Sequence, residues 1–445
     1  MSDLIIKNVN EVYVSIDCSD SISYELRDEF TFMVPGAQFS PQFRSKIWDG
    51  RIRLFDVRKR QIYRGLLSQV IDFCDSRDYT YEYETYDTEF SLNEAKQFIE
   101  TLNLKIEPRD YQIDAFVHAI RNKRSLLLSP TASGKSLRIY LILRYLYERE
   151  NIRKFLIIVP TVSLVSQLYS DFSDYGFDSD TYIHRVFSGQ DKETNKPITI
   201  STWQSLHTLP KKFFESFEVV IGDEAHLFKA KSLTDIMTNL INAKYRIGTT
   251  GTLDGNKTHK LVLEGLFGSV NKVTTTKDLM DQKHIADFSI KCLVLKHSDS
   301  ICQAAKNFSY QQEIEYLVLN EARNKFITNL ALSLEDNTLV LYQYVDKHGK
   351  ILYDMISKKI GEDRKVFFIY GKTDVEIREE TRKIVDSHKP KNKIILQFGE
   401  KTITCDEDEN VKLSDKSFKI AKNITENDDV DDSWILNRLD NLNRN

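Results

Sequence analysis

One short segment of the chain combines a lysine and a serine with small residues in a pattern suited to binding phosphate. An apolar run from Ser125 to Leu128 leads into a loop that ends in Gly134-Lys135-Ser136. In such a loop, successive backbone N–H groups can turn toward one anion, and the helix that follows adds its positive dipole end. Lys135 would then reach the β- and γ-phosphates of a nucleotide, and the Ser136 hydroxyl would ligate Mg²⁺.

One position of this loop departs from the usual pattern. Ser129 occupies the place at which phosphate loops usually carry their first glycine. A surface turn that happens to contain Gly-Lys-Ser is the alternative, and it is disfavoured by the apolar run before the loop and the helical pattern after it. The predicted nucleotide-binding residues of the loop are Ser129, Pro130, Thr131, Ala132, Ser133, Gly134, Lys135 and Ser136.

A pair of adjacent carboxylates lies about 90 residues further along the chain. Asp223 and Glu224 follow an apolar run, and ligands bind at the carboxyl ends of strands in open α/β sheets. An isolated Asp-Glu pair is most often a solvated loop, but coincidence is a poor explanation when a phosphate loop precedes it in the same domain. We predict that Asp223 and Ser136 hold Mg²⁺ and that Glu224 polarises the attacking water. Lys135, Asp223 and Glu224 are the predicted catalytic residues.

The segments around these residues alternate between helical patterns and short apolar runs. Helical patterns cover residues 109–121 and 137–149. The runs expected to be strands are 125–128, 155–159, 198–201, 219–221 and 245–248. Short apolar strands that alternate with helices predict a parallel sheet covered on both faces, which is an α/β fold.

Changes of pattern divide the chain into four predicted regions. They are a small α+β domain at 1–88, the α/β domain at 89–285, a second and partial α/β domain at 286–400, and an acidic tail at 401–445. In the second α/β domain, strands are expected at 338–342 and 365–369 and an amphipathic helix at 351–359.

The phosphate loop and the string Asp223-Glu-Ala-His226 together resemble the DEAH-box-type members of helicase superfamily 2, in which the first glycine of the loop is commonly absent. The resemblance covers about residues 106–384 and implies tandem RecA-like domains that use ATP and Mg²⁺. It implies that Arg109 and Gln112 recognise adenine. It also implies nucleic-acid binding by Pro160, Thr161, Gln167, Thr202 and Gln204, and coupling of ATP state to strand grip by His226, Thr250 and Thr252.

A basic segment with interleaved aromatic residues lies in the N-terminal region. Residues 41–65 contain 8 Lys and Arg against 2 Asp, a net charge of +6, and include Phe43, Trp48, Phe55 and Tyr63. Cations suit phosphates, and flat rings suit bases. The alternative is a hairpin whose apolar side chains face a core and whose charges are merely solvated. We predict nucleic-acid contact through Arg44, Lys46, Trp48, Arg51 and Arg53.

The string Trp48-Asp-Gly-Arg-Ile-Arg53 ahead of such a core resembles the recombination helicases of T-even-like bacteriophages. This resemblance implies that the partner is branched or single-stranded DNA, or an RNA–DNA hybrid. It further implies an ATP-dependent helicase or translocase of phage recombination, repair and replication, located in the cytoplasm of the host cell.

The second α/β region departs from the family after Asn392. The expected string Gln-x-x-Gly-Arg-x-x-Arg is absent, and the only arginines of the tail are Arg438 and Arg444. In the family that string delivers arginines to the γ-phosphate, and such arginines are worth a factor of about 10³–10⁵ in related NTPases. We therefore expect a truncated or rearranged member, a member that needs a protein partner, or one fragment of a split gene.

Two other hypotheses follow from these features. One is a nucleic-acid-binding helicase remnant that binds ATP but lacks turnover unless a partner supplies the arginines. The other is a P-loop nucleotidase unrelated to nucleic acid, which the basic aromatic segment disfavours.

Composition excludes several classes of protein. The 445 residues suffice for two or three domains, and 16 Gly with 8 Pro are too few for a collagen-like or low-complexity chain. The five Cys lack metal-ligand or disulfide-framework spacing, and no apolar run approaches a membrane span, so we expect a reduced intracellular protein without a membrane partner. The net charge of −4 is that of the tail, where 7 Lys and Arg oppose 11 Asp and Glu. It therefore does not argue against a polyanionic partner for the rest of the chain.

Overall fold

The structure is a computed structural model in which the chain forms two compact units, Met1–Ser289 and Ile290–Asn445. It describes residues 2–84, 88–187, 194–286, 290–334, 336–361 and 364–387, together with four short strands within 393–420. Within these residues, no helix has both the length and the apolar character needed to cross a membrane.

The first unit begins with a small sheet whose strands alternate buried and exposed side chains. Its strand order is β5-β6-β2-β1-β7, antiparallel except for the parallel pair of β1 and β7, while β3 and β4 form a separate two-stranded ribbon. The strands are β1 Leu4–Asn8, β2 Tyr13–Cys18, β3 Thr31–Met33, β4 Arg51–Arg53, β5 Phe55–Asp56, β6 Gln61–Tyr63 and β7 Tyr81–Tyr83. The helices are α1 Asp20–Glu29, α2 Pro41–Arg44 and α3 Leu67–Asp75.

A seven-stranded parallel sheet follows, in the order β10-β11-β9-β12-β13-β8-β14. Its strands are β8 Arg124–Leu128, β9 Phe155–Val159, β10 Ile183–Val186, β11 Ile198–Thr202, β12 Val219–Asp223, β13 Tyr245–Thr250 and β14 Val270–Lys272. Its helices are α4 Leu92–Thr101, α5 Asp110–Asn122, α6 Lys135–Glu148, α7 Val162–Asp174, α8 Ser179–Tyr182, α9 Trp203–Leu206, α10 Lys211–Phe214, α11 Lys231–Asn239, α12 Lys257–Phe267 and α13 Thr276–Asp281. The predicted α/β fold is confirmed, since β9 and β12 are buried along their whole length as strands covered on both faces must be.

The small sheet is joined to the large one by ion pairs and by a close backbone approach. The Glu11 carboxylate accepts hydrogen bonds from Arg64 at 2.6 Å and from Arg124, at the start of β8, at 2.5 Å. A Cβ added to Gly65 would come within 2.1 Å of the Glu264 carbonyl oxygen in α12. One apolar core therefore continues from the small sheet to the face of the large sheet that α11 and α12 cover.

The second unit contains five α-helices and four short strands among the residues that the structure describes. Its helices are α14 Asp299–Ala305, α15 Tyr310–Leu319, α16 Glu321–Ser333, α17 Lys350–Ser357 and α18 Val375–Ser387, and its strands are β15 Lys393–Phe398, β16 Lys401–Asp406, β17 Asn410–Lys412 and β18 Phe418–Ile420. The helix expected at 351–359 is confirmed as α17.

The strands expected at 338–342 and 365–369 are wrong. These segments do meet: the Tyr342 ring stacks on Phe368 at 5.4 Å, and its hydroxyl donates to the Ile369 carbonyl oxygen at 2.6 Å. Among the described residues, however, no backbone ladder joins them to each other or to another strand. A parallel strand needs hydrogen-bonding neighbours, and the strands that follow them in sequence, β15 to β18, pair only with one another as antiparallel hairpins.

Candidate functional site

The loop between β8 and α6 has the backbone of a phosphate cradle. Gly134 lies in the left-handed region with φ of +73°, and a Cβ there would come within 2.1 Å of Gln112 Nε2. Both features require glycine at this position. Ala132 is also left-handed, with φ of +64°, which is uncommon for a residue with a side chain. Such strain concentrates at ligand-binding segments.

The start of α5 is fastened to this loop by the residues expected to recognise adenine. Gln112 Nε2 donates to the Ser133 carbonyl oxygen at 2.9 Å, and Gln112 Oε1 accepts from the Arg109 backbone N–H at 2.9 Å. The Arg109 guanidinium donates to the Tyr111 hydroxyl, which in turn donates to the Ser133 carbonyl oxygen. The structure thus brings Arg109 and Gln112 to the phosphate loop and adds Tyr111, which the sequence argument did not single out.

The Asp-Glu pair lies at the carboxyl end of β12, close to the phosphate loop. Asp223 is buried and accepts a hydrogen bond from the Thr249 hydroxyl at 2.7 Å. Glu224 forms an ion pair with Lys135, with Nζ and Oε1 3.2 Å apart. Its backbone is left-handed, with φ of +50°, a conformation that costs on the order of 1–3 kcal/mol and is held only by its surroundings.

Hydrogen bonds close a ring between the carboxylate pair, the Thr250-Gly-Thr252 segment and the phosphate loop. His226 Nδ1 lies 3.3 Å from Glu224 Oε2 and 3.0 Å from the Thr250 hydroxyl oxygen. The Thr250 hydroxyl donates to the Thr252 carbonyl oxygen, and the Thr250 carbonyl oxygen accepts from the Ser129 N–H at 2.9 Å. Two chains of contacts therefore link the phosphate loop to Thr250, one through side chains and one through the backbone.

The residues expected to hold Mg²⁺ present suitable oxygen ligands. The Ser136 hydroxyl lies 3.1 Å from the Tyr175 hydroxyl. It also hydrogen-bonds the Asp171 carboxyl. Burial raises the pKa of that carboxyl, and the hydrogen bond to Ser136 partly opposes the rise. Within the described residues, no group of three or more His, Cys, Asp or Glu is arranged as a metal site. Mg²⁺ commonly takes one or two protein ligands and completes its shell with phosphate oxygens and water, so a hydroxyl and a carboxylate fit it.

Four of the residues expected to line a nucleic-acid strand, Pro160, Thr161, Thr202 and Gln204, lie at the carboxyl ends of β9 and β11. Thr161 caps α7 by accepting the Leu164 N–H, and Gln204 Nε2 donates to the Pro160 carbonyl oxygen at 3.5 Å. Thr202 is buried at the end of β11. Gln167 is exposed on α7. The structure joins Pro160 to Gln204 directly and leaves Gln204 and Gln167 accessible to a ligand.

The predicted basic patch lies on the β3–β4 ribbon and the loop between its strands. Arg51 and Arg53 are exposed on one face of β4, Arg44 and Lys46 are exposed in the loop, and the Trp48 indole N–H donates to the Arg51 carbonyl oxygen at 3.0 Å. Arg53 is paired with an aspartate of the same loop, and the other three cations form no ion pair with a carboxylate among the described residues. Three cations of the patch are thus available to phosphates.

The aromatic residues of this segment divide between surface and core. Phe55 is buried and cannot contact a nucleic acid, and Tyr63 is half-buried against Tyr13 and α12. Conversely, Phe39 and Ile47, which were not predicted, are 70% and 81% exposed on the loop. Apolar residues interspersed among the basic residues of this loop are the sequence feature that could have pointed to them.

A parallel sheet with a phosphate loop after one strand and an Asp-Glu-Ala-His string after another defines the RecA-like ATP-binding domain of superfamily 2 helicases. Residues 105–255 match the family model "Type III restriction enzyme, res subunit", and residues 3–84 match "DNA helicase UvsW, N-terminal".

Individual relatives agree with the family models. The chain is 34% identical over 392 residues to the ATP-dependent DNA helicase uvsW of Enterobacteria phage T4, an alignment that spans 85% of this chain and 77% of the relative. A crystal structure of T4 UvsW matches with a TM-score of 0.57 and 30% identity, over 86% of this chain and 78% of that one. Another, of the UvsW helicase from bacteriophage T4, matches with a TM-score of 0.56 and 34% identity over 61% and 99%. The DNA 3′–5′ translocase XPB2 of Sulfurisphaera tokodaii is 29% identical over 46% of this chain and 45% of its own length.

The protein belongs to the UvsW helicase family. It is an ATP-dependent helicase or translocase that binds nucleic acid.

Proposed function

We propose that this helicase acts on branched DNA or RNA–DNA hybrids in phage recombination, repair and replication, in the cytoplasm of the host cell. The observation that supports its ATP-dependent part is the ring of contacts Lys135–Glu224–His226–Thr250–Ser129, which connects the phosphate loop to the proposed catalytic carboxylate. Relatives support the choice of DNA, because the T4 relative is named a DNA helicase and the archaeal one a DNA translocase.

In this proposal the phosphate loop binds ATP and α5 holds its adenine end. Arg109 and Gln112 face the base, residues 129–136 surround the phosphates, and Ser136 and Asp223 hold Mg²⁺. The metal, when bound, neutralises charge on the β- and γ-phosphates.

Glu224 acts as the base toward the attacking water, and Lys135 controls its availability. The two side chains are paired in the structure. A γ-phosphate offers Lys135 a competing and more highly charged partner, so nucleotide binding draws the ammonium away from Glu224. The carboxylate is then free to accept the proton of water, and His226 remains within 3.3 Å to orient it. Hydrolysis therefore depends on the presence of the third phosphate.

Two surfaces receive the nucleic acid. The first surface contacts one nucleic-acid strand. It is formed at the carboxyl ends of β9 and β11 and on α7, by Pro160, Thr161, Gln167, Thr202 and Gln204. The basic patch on the β3–β4 ribbon receives phosphates through Arg44, Lys46 and Arg51, with Trp48 and Arg53 beside them. Because the small sheet and the large sheet share one apolar core, the patch moves with the ATP-binding domain.

A second candidate function is a nucleic-acid-binding protein that binds ATP but turns it over only with a partner. The sequence observation that favours it is the absence of Gln-x-x-Gly-Arg-x-x-Arg, and segments 338–342 and 365–369 lack the ladder that a complete second sheet would have. A partner chain carrying that string would restore the arginines.

Strand-displacement and ATPase assays test the proposal. Purified chain would be given a forked DNA, an RNA–DNA hybrid with a single-stranded tail and a blunt linear duplex of equal length, with ATP and Mg²⁺. ATP-dependent displacement on the first two, and little on the blunt duplex, is expected. ATP binding and DNA binding without stimulated phosphate release would favour the second candidate, and hydrolysis indifferent to every nucleic acid would contradict both.

A further inference from the structure

The fully buried Arg138 lies directly behind the phosphate loop. It belongs to the first turns of α6, whose side chains lean toward the helix N-terminus. Its side chain is 0% exposed. One terminal nitrogen donates to the hydroxyls of both Ser129 and Ser133, the second at 3.4 Å. Arg138 therefore connects Ser129, at the start of the loop, with Ser133, near its end.

The charge of Arg138 is unbalanced within the protein. Its Nε and second terminal nitrogen are buried without a hydrogen-bond partner, and it forms no ion pair with any carboxylate of the described residues. Burial lowers the pKa of its guanidinium to about 10, and the charge of Asp223 only partly opposes this effect. Buried cations normally have a carboxylate or a full set of acceptors, so an uncompensated one beneath an anion-binding loop calls for an anion.

A second buried arginine shows what compensation looks like in this same fold. Arg246 on β13 donates to the carbonyl oxygens of Met237, Leu240 and Leu266 at 2.7–3.0 Å. Arg246 lies near the amino end of β13, at the opposite end of the sheet from the phosphate loop, and its hydrogen bonds link the end of α11 to the end of α12. Arg138 and Arg246 thus share burial but differ in whether the protein satisfies them.

We propose that Arg138 is a positioning residue of the nucleotide site, which orders the phosphate loop through Ser129 and Ser133 and whose positive charge is compensated by the phosphates of the bound nucleotide. The inference rests on the proposal that residues 129–136 bind those phosphates. It also explains the departure from the usual loop, because Ser129, in place of the first glycine, supplies a hydroxyl that Arg138 needs.

The test is a comparison of thermal midpoints with the affinities for AMP and ADP, measured by calorimetry on the full chain. Arg138→Met is expected to keep or raise the midpoint, because an apolar side chain relieves a buried unpaired charge. It is also expected to weaken ADP binding about tenfold and AMP binding less, because the loss grows with phosphate charge. Arg138→Lys should recover part of the ADP affinity. Arg246→Met, the matched control, should lower the midpoint and leave the ADP affinity of the folded protein unchanged.

Ser129→Ala keeps the proposal testable if Arg138→Met does not fold. It removes one acceptor and is expected to weaken ADP binding about threefold. An ADP affinity within twofold of the parent in both variants would overturn the role of Arg138, as would an equal loss for AMP and ADP accompanied by a lower midpoint, which is the mark of general destabilisation. Failure of the parent chain to bind ADP, or binding that survives Lys135→Ala, would instead refute the phosphate-loop assignment.

Discussion

Replacing Gly134 with alanine tests the geometry of the phosphate loop. Alanine at φ of +73° costs roughly 1–2 kcal/mol. The new Cβ would come within 2.1 Å of Gln112 Nε2, so Gln112 must move and lose its hydrogen bonds to Ser133 and Arg109, each worth about 1 kcal/mol. Together the backbone cost and the two lost hydrogen bonds amount to about 3 kcal/mol. In the free protein the loop avoids this cost by adopting another conformation, so nucleotide binding must supply the energy that restores the original one.

The expected result is an ADP dissociation constant raised about 100- to 200-fold, measured by calorimetry. Gly36→Ala is the matched control, because Gly36 has a similar φ of +75° but a Cβ there would meet nothing closer than 3.8 Å. Gly36→Ala should change stability by the backbone cost alone and leave ADP affinity within twofold. Equal ADP affinities in Gly134→Ala and the parent would show that the crowded contact with Gln112 does not hold the loop.

Three further changes probe the interface, the basic patch and a buried carboxyl. Glu11→Gln should lower the free energy of unfolding in urea by about 2–3 kcal/mol, less than the cost of breaking a fully buried pair, because Glu11 is 26% exposed although its partner Arg124 is only 11% exposed; no change would contradict the ion-pair network. The double substitution Lys46→Ala, Arg51→Ala should reduce the slope of log affinity for DNA against log salt by roughly 2, and an unchanged slope would exclude these cations from phosphate contact. Asp171→Asn should stabilise the chain at pH 7 but not near pH 3: burial raises the folded-state pKa of this carboxyl, so native stability falls as pH rises above the ordinary Asp value. A stabilisation that does not vary with pH would show that burial does not raise the pKa of Asp171.

The arrangement of the proposed ATP site could be predicted from the sequence because its parts are local. Ser129 to Ser136 are contiguous, and the strand before them and helix after them leave little freedom of placement. The approach of Glu224 to Lys135 follows from strand topology, since both residues follow parallel strands of one sheet and the carboxyl ends of such strands share an edge. Distant residues were thus brought together by a rule that the sequence pattern already contained.

Other features depended on packing that no local pattern encodes. Phe55 and Tyr63 were grouped with the other aromatic residues of the basic segment, yet Phe55 lies in the core and Tyr63 is half-buried against Tyr13. Arg138 carries no sequence signal, since a single arginine in an amphipathic helix is usually a surface residue. The run 338–342 is apolar enough to be a strand, but Leu339 and Leu341 are exposed, because apolar character alone does not provide a neighbouring strand.

We propose that Glu224 at the end of β12 serves ATP hydrolysis coupled to DNA. The most direct measurement is the steady-state release of phosphate from ATP with and without single-stranded DNA, for the parent chain and for Glu224→Gln. We expect DNA-stimulated release by the parent, and a loss of at least about 100-fold in Glu224→Gln with nucleotide binding retained. Equal phosphate release by the two proteins would contradict it.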